Sequence, residues 1–186
     1  MSFLKSLPSL PDVGLLQIFQ TFPNAARPLI DYHEVLMRGD SPFTAAEREL
    51  IAAYVSGLNG CRYCHAVHAQ TAVELGIGAD VIPELLINAA VQHIDLKMRP
   101  VISFVRKLTL SPEGIMATDA DAVFAAGWDD RALHDATAIC ALFNLMNRLV
   151  NGLGVERDEK YTKMAAQRLA RGGYAQLADL LPASPK

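Results

Sequence analysis

The chain reads as all-α. Strand signals are scarce across its 186 residues: there is no β-branched alternation and no Asn-Gly hairpin. Helix starts and stops recur instead, and a hydrophobic share of 51% fills a core easily. The length suits one domain with terminal extensions, which we place at 1–24 (an N-terminal helical extension), 25–155 (the core) and 156–186 (a C-terminal helix and tail).

Taken in order, helices are expected over Val13–Thr21 and Ala25–Met37. Thr44 with Glu47 three residues on is a capping box. The helix it opens runs through Glu49 to Val55 and stops at the C-cap pair Asn59-Gly60. Cys61 to Leu75 is the next, closed by Gly76 and Gly78. Ala79 to His93 follows, with Pro83 tolerable in its first turn. Arg99–Leu108 leads to the turn Ser111-Pro112-Glu113-Gly114. Thr118 with Asp121 starts a short helix ending at Gly127, and Asp129 or Asp130 caps a long one to Gly152. Asp158–Arg171 is the last, and 182–186 reads as a loose tail. A faint internal echo lays Phe43–Cys64 on Trp128–Leu149, pairing Phe43 with Trp128, Asn59 with Asn144 and Cys61 with Met146. Two such capped helices packed together suit one helical bundle with a degenerate internal repeat.

Charge and cysteine usage exclude several function classes. A net charge of -3 without a basic patch points away from nucleic acid. No apolar run approaches the ~20 residues a membrane span needs. The N-terminal Met1-Ser2-Phe3-Leu4-Lys5-Ser6-Leu7-Pro8 lacks the regions of an export signal. A cytoplasmic protein is therefore expected, with its three cysteines reduced or cycling rather than forming a disulfide framework. Cys140, among Ala138, Ile139, Ala141 and Leu142, reads as a small core residue.

The chemistry concentrates in Cys61-Arg62-Tyr63-Cys64-His65-Ala66-Val67-His68. Each of the two cysteines has a histidine four residues later, and at about 100° per residue the other three lie within roughly 60° of Cys61 on one helix face. Gly60 breaks the preceding helix, so the thiols fall in a first turn, where unpaired N–H groups and the helix dipole favour a thiolate. His68, one turn beyond Cys64, is placed to take its proton. Glu49 sits beside Ala52, Ala53 and Ser56, a small-residue face on which the next helix could pack, so that Glu49 would orient His68. A solvated helix glutamate is the plainer reading of the same position.

Several readings of the block stand side by side. The thiols could form a redox-active dithiol. Cys61-x-x-Cys64-His65 matches the c-type haem attachment pattern, which needs an exported chain. Zinc would need ligands beyond one helix face, from His33, His93, His134 or acids elsewhere. The cysteines could also be buried and inert, with ordinary helix histidines.

The pattern Glu49-x11-Cys61-x2-Cys64-x3-His68 resembles the active-site motif of the alkylhydroperoxidase D-like proteins within the carboxymuconolactone decarboxylase family. Thr44–Glu49, Ala141–Arg148 and Gly152-Leu153-Gly154 resemble the family's peroxidase-related branch, so the similarity spans roughly residues 25–155. The resemblance implies an all-helical, homo-oligomeric, cofactor-free peroxidase. It implies Cys64 as the peroxidatic thiol, Cys61 as the resolving thiol, His68 as base and Glu49 as its partner. A hydroperoxide substrate and a thiol or dithiol reductant, lipoyl or thioredoxin-like, come with it; a dithiol–disulfide oxidoreductase or redox sensor is the alternative. Family members carry a histidine one residue before the second cysteine, where this chain has Tyr63, and a histidine follows instead at His65. The family's decarboxylases act without the cysteine pair, so decarboxylation is not expected. The apolar run Leu15, Leu16, Ile18, Phe19 and Phe22 adds a compositional reason to expect an oligomer.

Overall fold

Thr44 opens the helix on which the rest is assembled. In the computed structural model its hydroxyl accepts from the Glu47 N–H at 3.2 Å, while its own N–H donates to Glu47 Oε2 at 2.8 Å. The structure describes residues 3–5, 7, 14–87, 94–156 and 159–182. Over these the helices are α1 (Leu15–Thr21), α2 (Pro23–Arg38), α3 (Ala45–Leu58), α4 (Arg62–Glu74), α5 (Val81–Ile87), α6 (Met98–Leu110), α7 (Ala117–Ala125), α8 (Asp130–Gly152), α9 (Glu159–Gly172) and α10 (Ala175–Ala178). No strand occurs among the described residues. The expected turn at Ser111 is a single 3-10 turn, Pro112–Gly114. The four-residue α10 lies where no helix was expected, and the second half of the helix expected to reach His93 lies outside the described residues.

α3 is the centre of the bundle. Arg48 through Ser56 are all buried, so no face of it meets water. Its small-residue side receives α4, while α8 and α6 pack on other sides. The tight α3–α4 corner follows from two glycines. Gly60 takes φ +65, and the bonds Cys61 N–H to Ser56 O (2.9 Å) and Gly60 N–H to Gly57 O (3.0 Å) close a Schellman motif. At Gly57 a Cβ would stand 2.8 Å from the Leu86 side chain and 3.0 Å from His65 Nδ1, so this crossing needs a hydrogen there. His65 Nδ1 meets Ala53 O at 3.0 Å and ties α4 back to α3.

Asp129 caps α8, accepting from the Ala132 N–H at 2.9 Å. The two echoed positions touch each other: the Phe43 and Trp128 rings lie 4.6 Å apart, and Asn59 Nδ2 donates to Asn144 Oδ1 at 3.1 Å. Contact at corresponding points near both ends means that α3 and α8 run side by side in the same direction. Cys140 is core, as its apolar neighbours suggest: it is buried on α8 beside the Thr109 hydroxyl at 3.3 Å, and burial pushes its thiol up.

The argument from α1 to an oligomer is corrected by where the helix goes. Ile18 and Phe19 are buried within the same chain, and Leu15 and Leu16 pack on the core. Of that run, Phe22 remains exposed.

Candidate active site

A carboxylate removed from water needs strong partners, because its desolvation costs several kcal/mol. Glu49 is fully buried and has three. His68 Nδ1 meets its Oε2 at 2.7 Å; an Arg38 guanidinium N–H and the Tyr174 hydroxyl donate to Oε1 at 2.7 and 2.9 Å. Burial alone would raise its pKa, but His68 and Arg38 hold the carboxyl below the usual range. The reading of Glu49 as a solvated helix residue is therefore overturned: the helix it sits on has no solvent face. Arg38 is fixed in turn by Leu169 O at 3.1 Å and by lying 5.1 Å over the Tyr174 ring.

α4 carries the sulfurs. Cys61 is the N-cap residue and Cys64 lies on the first turn, both buried and both thiols. Of the two sulfurs, the surroundings favour negative charge on Cys61 over Cys64. A hydrogen bond from the Cys64 thiol, aided by the amides of Cys64 and Tyr63 and by the Asn147 side chain, brings Cys61 down to about 7 against the opposing effect of burial. Donating that bond, together with burial, pushes Cys64 well above the usual thiol range. The physical reason is the bond between the two thiols: the sulfur that accepts is stabilised as an anion, and the sulfur that donates must keep its proton.

Asn147 of α8 is oriented by its neighbours. Its Oδ1 accepts from Asn59 Nδ2 at 2.9 Å, which turns its Nδ2 toward Ser56 Oγ at 2.9 Å and the sulfur pair.

Cys64 and His68 open on one cavity of about 80 Å³, mostly apolar, with Phe19 of α1, Val67 of α4, Phe143 and Met146 of α8, and Leu169 of α9 in its walls. The His68 ring stands edge-on to Phe143 at 4.5 Å. Among the described residues, no hydrogen bond joins Cys64 to His68: both face the same space, and a third group would have to bridge them. Tyr63 lines the same cavity, with its hydroxyl 3.4 Å from that of Tyr161. His33 lines it too, while His134 is exposed and paired with Asp135 at 2.9 Å, and His93 lies outside the described residues. No group of three or more His, Cys, Asp or Glu side chains among the described residues is arranged to hold a metal ion.

The structure thus brings together Glu49, Cys61, Cys64 and His68, four residues singled out by spacing. It adds Arg38, Tyr174, Asn147 and His33, for which the sequence carried little signal. Asn147 sits within the Ala141–Arg148 stretch that looked familiar, without a role assigned to it. Arg38 and Tyr174 lie in no pattern with Glu49.

Comparison with known proteins agrees with this architecture. Residues 23–102 match the carboxymuconolactone decarboxylase family. No curated protein matches the chain. An uncharacterized peroxidase-related protein from Silicibacter sp. TM1040 superimposes with a TM-score of 0.74 at 25% identity, over 79% of this chain and 77% of that one. A peroxidase-related protein from Ralstonia eutropha JMP134, described as an alkylhydroperoxidase AhpD core, gives 0.69 at 26% identity, over 80% and 78%. A protein of unknown function from Agrobacterium tumefaciens, at 17% identity and 0.69 over 76% and 95%, shares the fold. The match over residues 23–102 to the carboxymuconolactone decarboxylase family holds Glu49 and the whole block from Cys61 to His68, on a chain with the alkylhydroperoxidase D-like fold.

Proposed function

We propose that the protein is a cofactor-free thiol peroxidase that reduces organic or small hydroperoxides through the Cys61–Cys64 dithiol. The observation that carries this reading is the shared cavity: a cysteine and a histidine open on it, and behind the histidine stands a buried carboxylate held by Arg38 and Tyr174. That is a nucleophile, base and orienter order.

In this reading, the peroxide enters the space between Cys64 and His68. The Cys64 proton passes to His68, the sulfur attacks the terminal oxygen, and the O–O bond breaks. His68 returns the proton to the departing alkoxide, so that an alcohol leaves and Cys64 becomes a sulfenic acid. The Cys61 thiolate then attacks the Cys64 sulfur, and the hydroxide released takes a proton from solvent to leave as water. One peroxide consumes two thiols and yields a disulfide, an alcohol and water. An external dithiol restores the pair. With Cys61 and Cys64 at 0% and 2% exposure, a slender arm such as a lipoyl group suits that step better than the flat face of a thioredoxin-like protein.

Free-thiol titration after addition of equimolar cumene hydroperoxide tests the proposal. Two thiols should disappear within seconds to minutes, and Cys64→Ser should lose none on that timescale. Thiols that ignore peroxide yet exchange with small disulfides would favour the alternative, a dithiol–disulfide oxidoreductase or redox sensor. We also expect a homo-oligomer in a reducing, cytoplasmic setting. The α2 surface offers Tyr32 and Val35, exposed and about one turn apart. Sedimentation equilibrium at micromolar concentration should give a mass above that of one chain, and a monomer mass would remove this expectation.

A further inference from the structure

His33 belongs to neither the cysteine motif nor the Glu49 cluster, yet it stands at the same cavity. It is buried on α2 with 5% exposure, and its ring lies edge-on to Phe143 at 5.9 Å and tilted on Tyr174 at 5.2 Å. His68 meets the same two rings, at 4.5 and 6.4 Å. The two imidazoles therefore flank one pair of aromatic walls.

Their chemistry differs. His33 Nδ1 lies 2.7 Å from Leu29 O on its own helix. A carbonyl can only accept, so Nδ1 carries the proton and Nε2 carries a lone pair. Burial holds the ring down at about 4, so it stays neutral at physiological pH. His33 forms no other hydrogen bond among the described residues, and its Nε2 is not a sealed, unpaired atom: Arg99 Nε has that status. What remains is a permanent acceptor at the wall of an apolar space.

We propose that His33 is a substrate-binding residue whose Nε2 accepts the O–H of the hydroperoxide, opposite His68. This rests on the thiol peroxidase reading and adds specificity to it. A hydroperoxide has one hydrogen to donate, and in an apolar cavity that donor needs a partner. The neighbouring polar groups fill the role less well. Arg168 has donors only, the Tyr63 and Tyr161 hydroxyls face each other, and His68 is needed at the leaving oxygen. With the terminal O–H held by His33, the terminal oxygen is presented to Cys64 and the inner oxygen is left to His68. Neutral peroxides with a free O–H are admitted. Dialkyl peroxides lack the donor, and small disulfides have none to offer.

The test compares wild type, His33→Phe and His33→Gln. Phenylalanine keeps the ring packing and removes the acceptor; glutamine restores one. Stopped-flow thiol loss with cumene hydroperoxide should slow about 5- to 10-fold in His33→Phe, the range for one neutral hydrogen bond, and recover at least in part in His33→Gln. Modification of the Cys61–Cys64 pair by methyl methanethiosulfonate, which has no O–H or N–H, should stay within about twofold. Equal peroxide rates in wild type and His33→Phe would overturn the proposal, as would a parallel loss with the thiosulfonate, which marks a packing role. If wild type does not react with any hydroperoxide, the peroxidase reading fails by itself. Calorimetric binding of 2-phenyl-2-propanol, an unreactive O–H donor of similar shape, then still decides on His33: binding about 5- to 10-fold weaker in His33→Phe supports the assignment, and equal binding removes it.

Discussion

Glu49→Gln and His68→Ala should separate two roles that one carboxylate holds. Glutamine preserves shape but leaves the Arg38 cation, 13% exposed, without its counter-charge, and breaking such a pair typically costs about 3–5 kcal/mol. His68→Ala leaves the Arg38–Glu49 pair in place and removes the proposed base at the cavity. We therefore expect Glu49→Gln to be the more destabilised variant in urea denaturation. His68→Ala should be the slower in peroxide reaction, by on the order of 10²-fold. The double variant should react little slower than His68→Ala alone, as expected of groups acting as a unit. Additive rate losses, or a Glu49→Gln protein as stable as wild type, would mean that the cluster is not coupled in this way.

At the scale of elements, the α3–α4 corner sets where the negative charge sits. Gly60→Ala places a side chain at φ +65, which costs about 1–2 kcal/mol and loosens the turn that presents Cys61 as a cap. The Cys61 thiol should then titrate higher than in Cys64→Ser alone, read from ultraviolet thiolate absorbance against pH with both variants in that Cys64→Ser background. An unchanged titration would show that the amides at the start of α4 do not hold the anion.

Much of this corner was legible in the sequence. The capping box at Thr44, the stop at Asn59-Gly60, the Asp129 cap and the shared face of Cys61, Cys64 and His68 are local features, and local chemistry determines them. The burial of Glu49 needed the small-residue face of α3 to be occupied, which composition hints at. Tyr174 could not be read, because it meets Glu49 from 125 residues away, and Arg38, 11 residues away on the preceding helix, meets it across a turn at a spacing that marks no pattern. Which of the two sulfurs is held down could not be read for a finer reason: they lie three residues apart, and pattern alone does not say which of them donates to the other.

For the whole molecule, buried ionisable groups make stability depend on pH. In the unfolded chain His33 takes a proton near its ordinary 6.5, whereas the fold resists protonation until about 4. Between those values the unfolded state binds more protons, so stability is full above about 6.5 and falls as the solution is acidified. The loss should be about 2 kcal/mol by pH 5. Glu49, held low, has the same sign: its contribution is present above the ordinary carboxyl range and vanishes as pH falls through its lower folded value. Urea denaturation at pH 7 and pH 5 should show the drop in wild type and a smaller drop in His33→Phe. Equal drops would assign the pH sensitivity to other groups.

The enclosure of both sulfurs has a temporal consequence. In the proposed cycle, oxidant and reductant act on the same buried pair of atoms, so neither can wait on the protein while the other reacts. Catalysis would then be a sequence of alternating visits, with the disulfide as the stored memory of the first. Initial rates measured against both partners would then fall on parallel lines in double-reciprocal form, and the flux through the cycle would follow whichever visitor is scarcer.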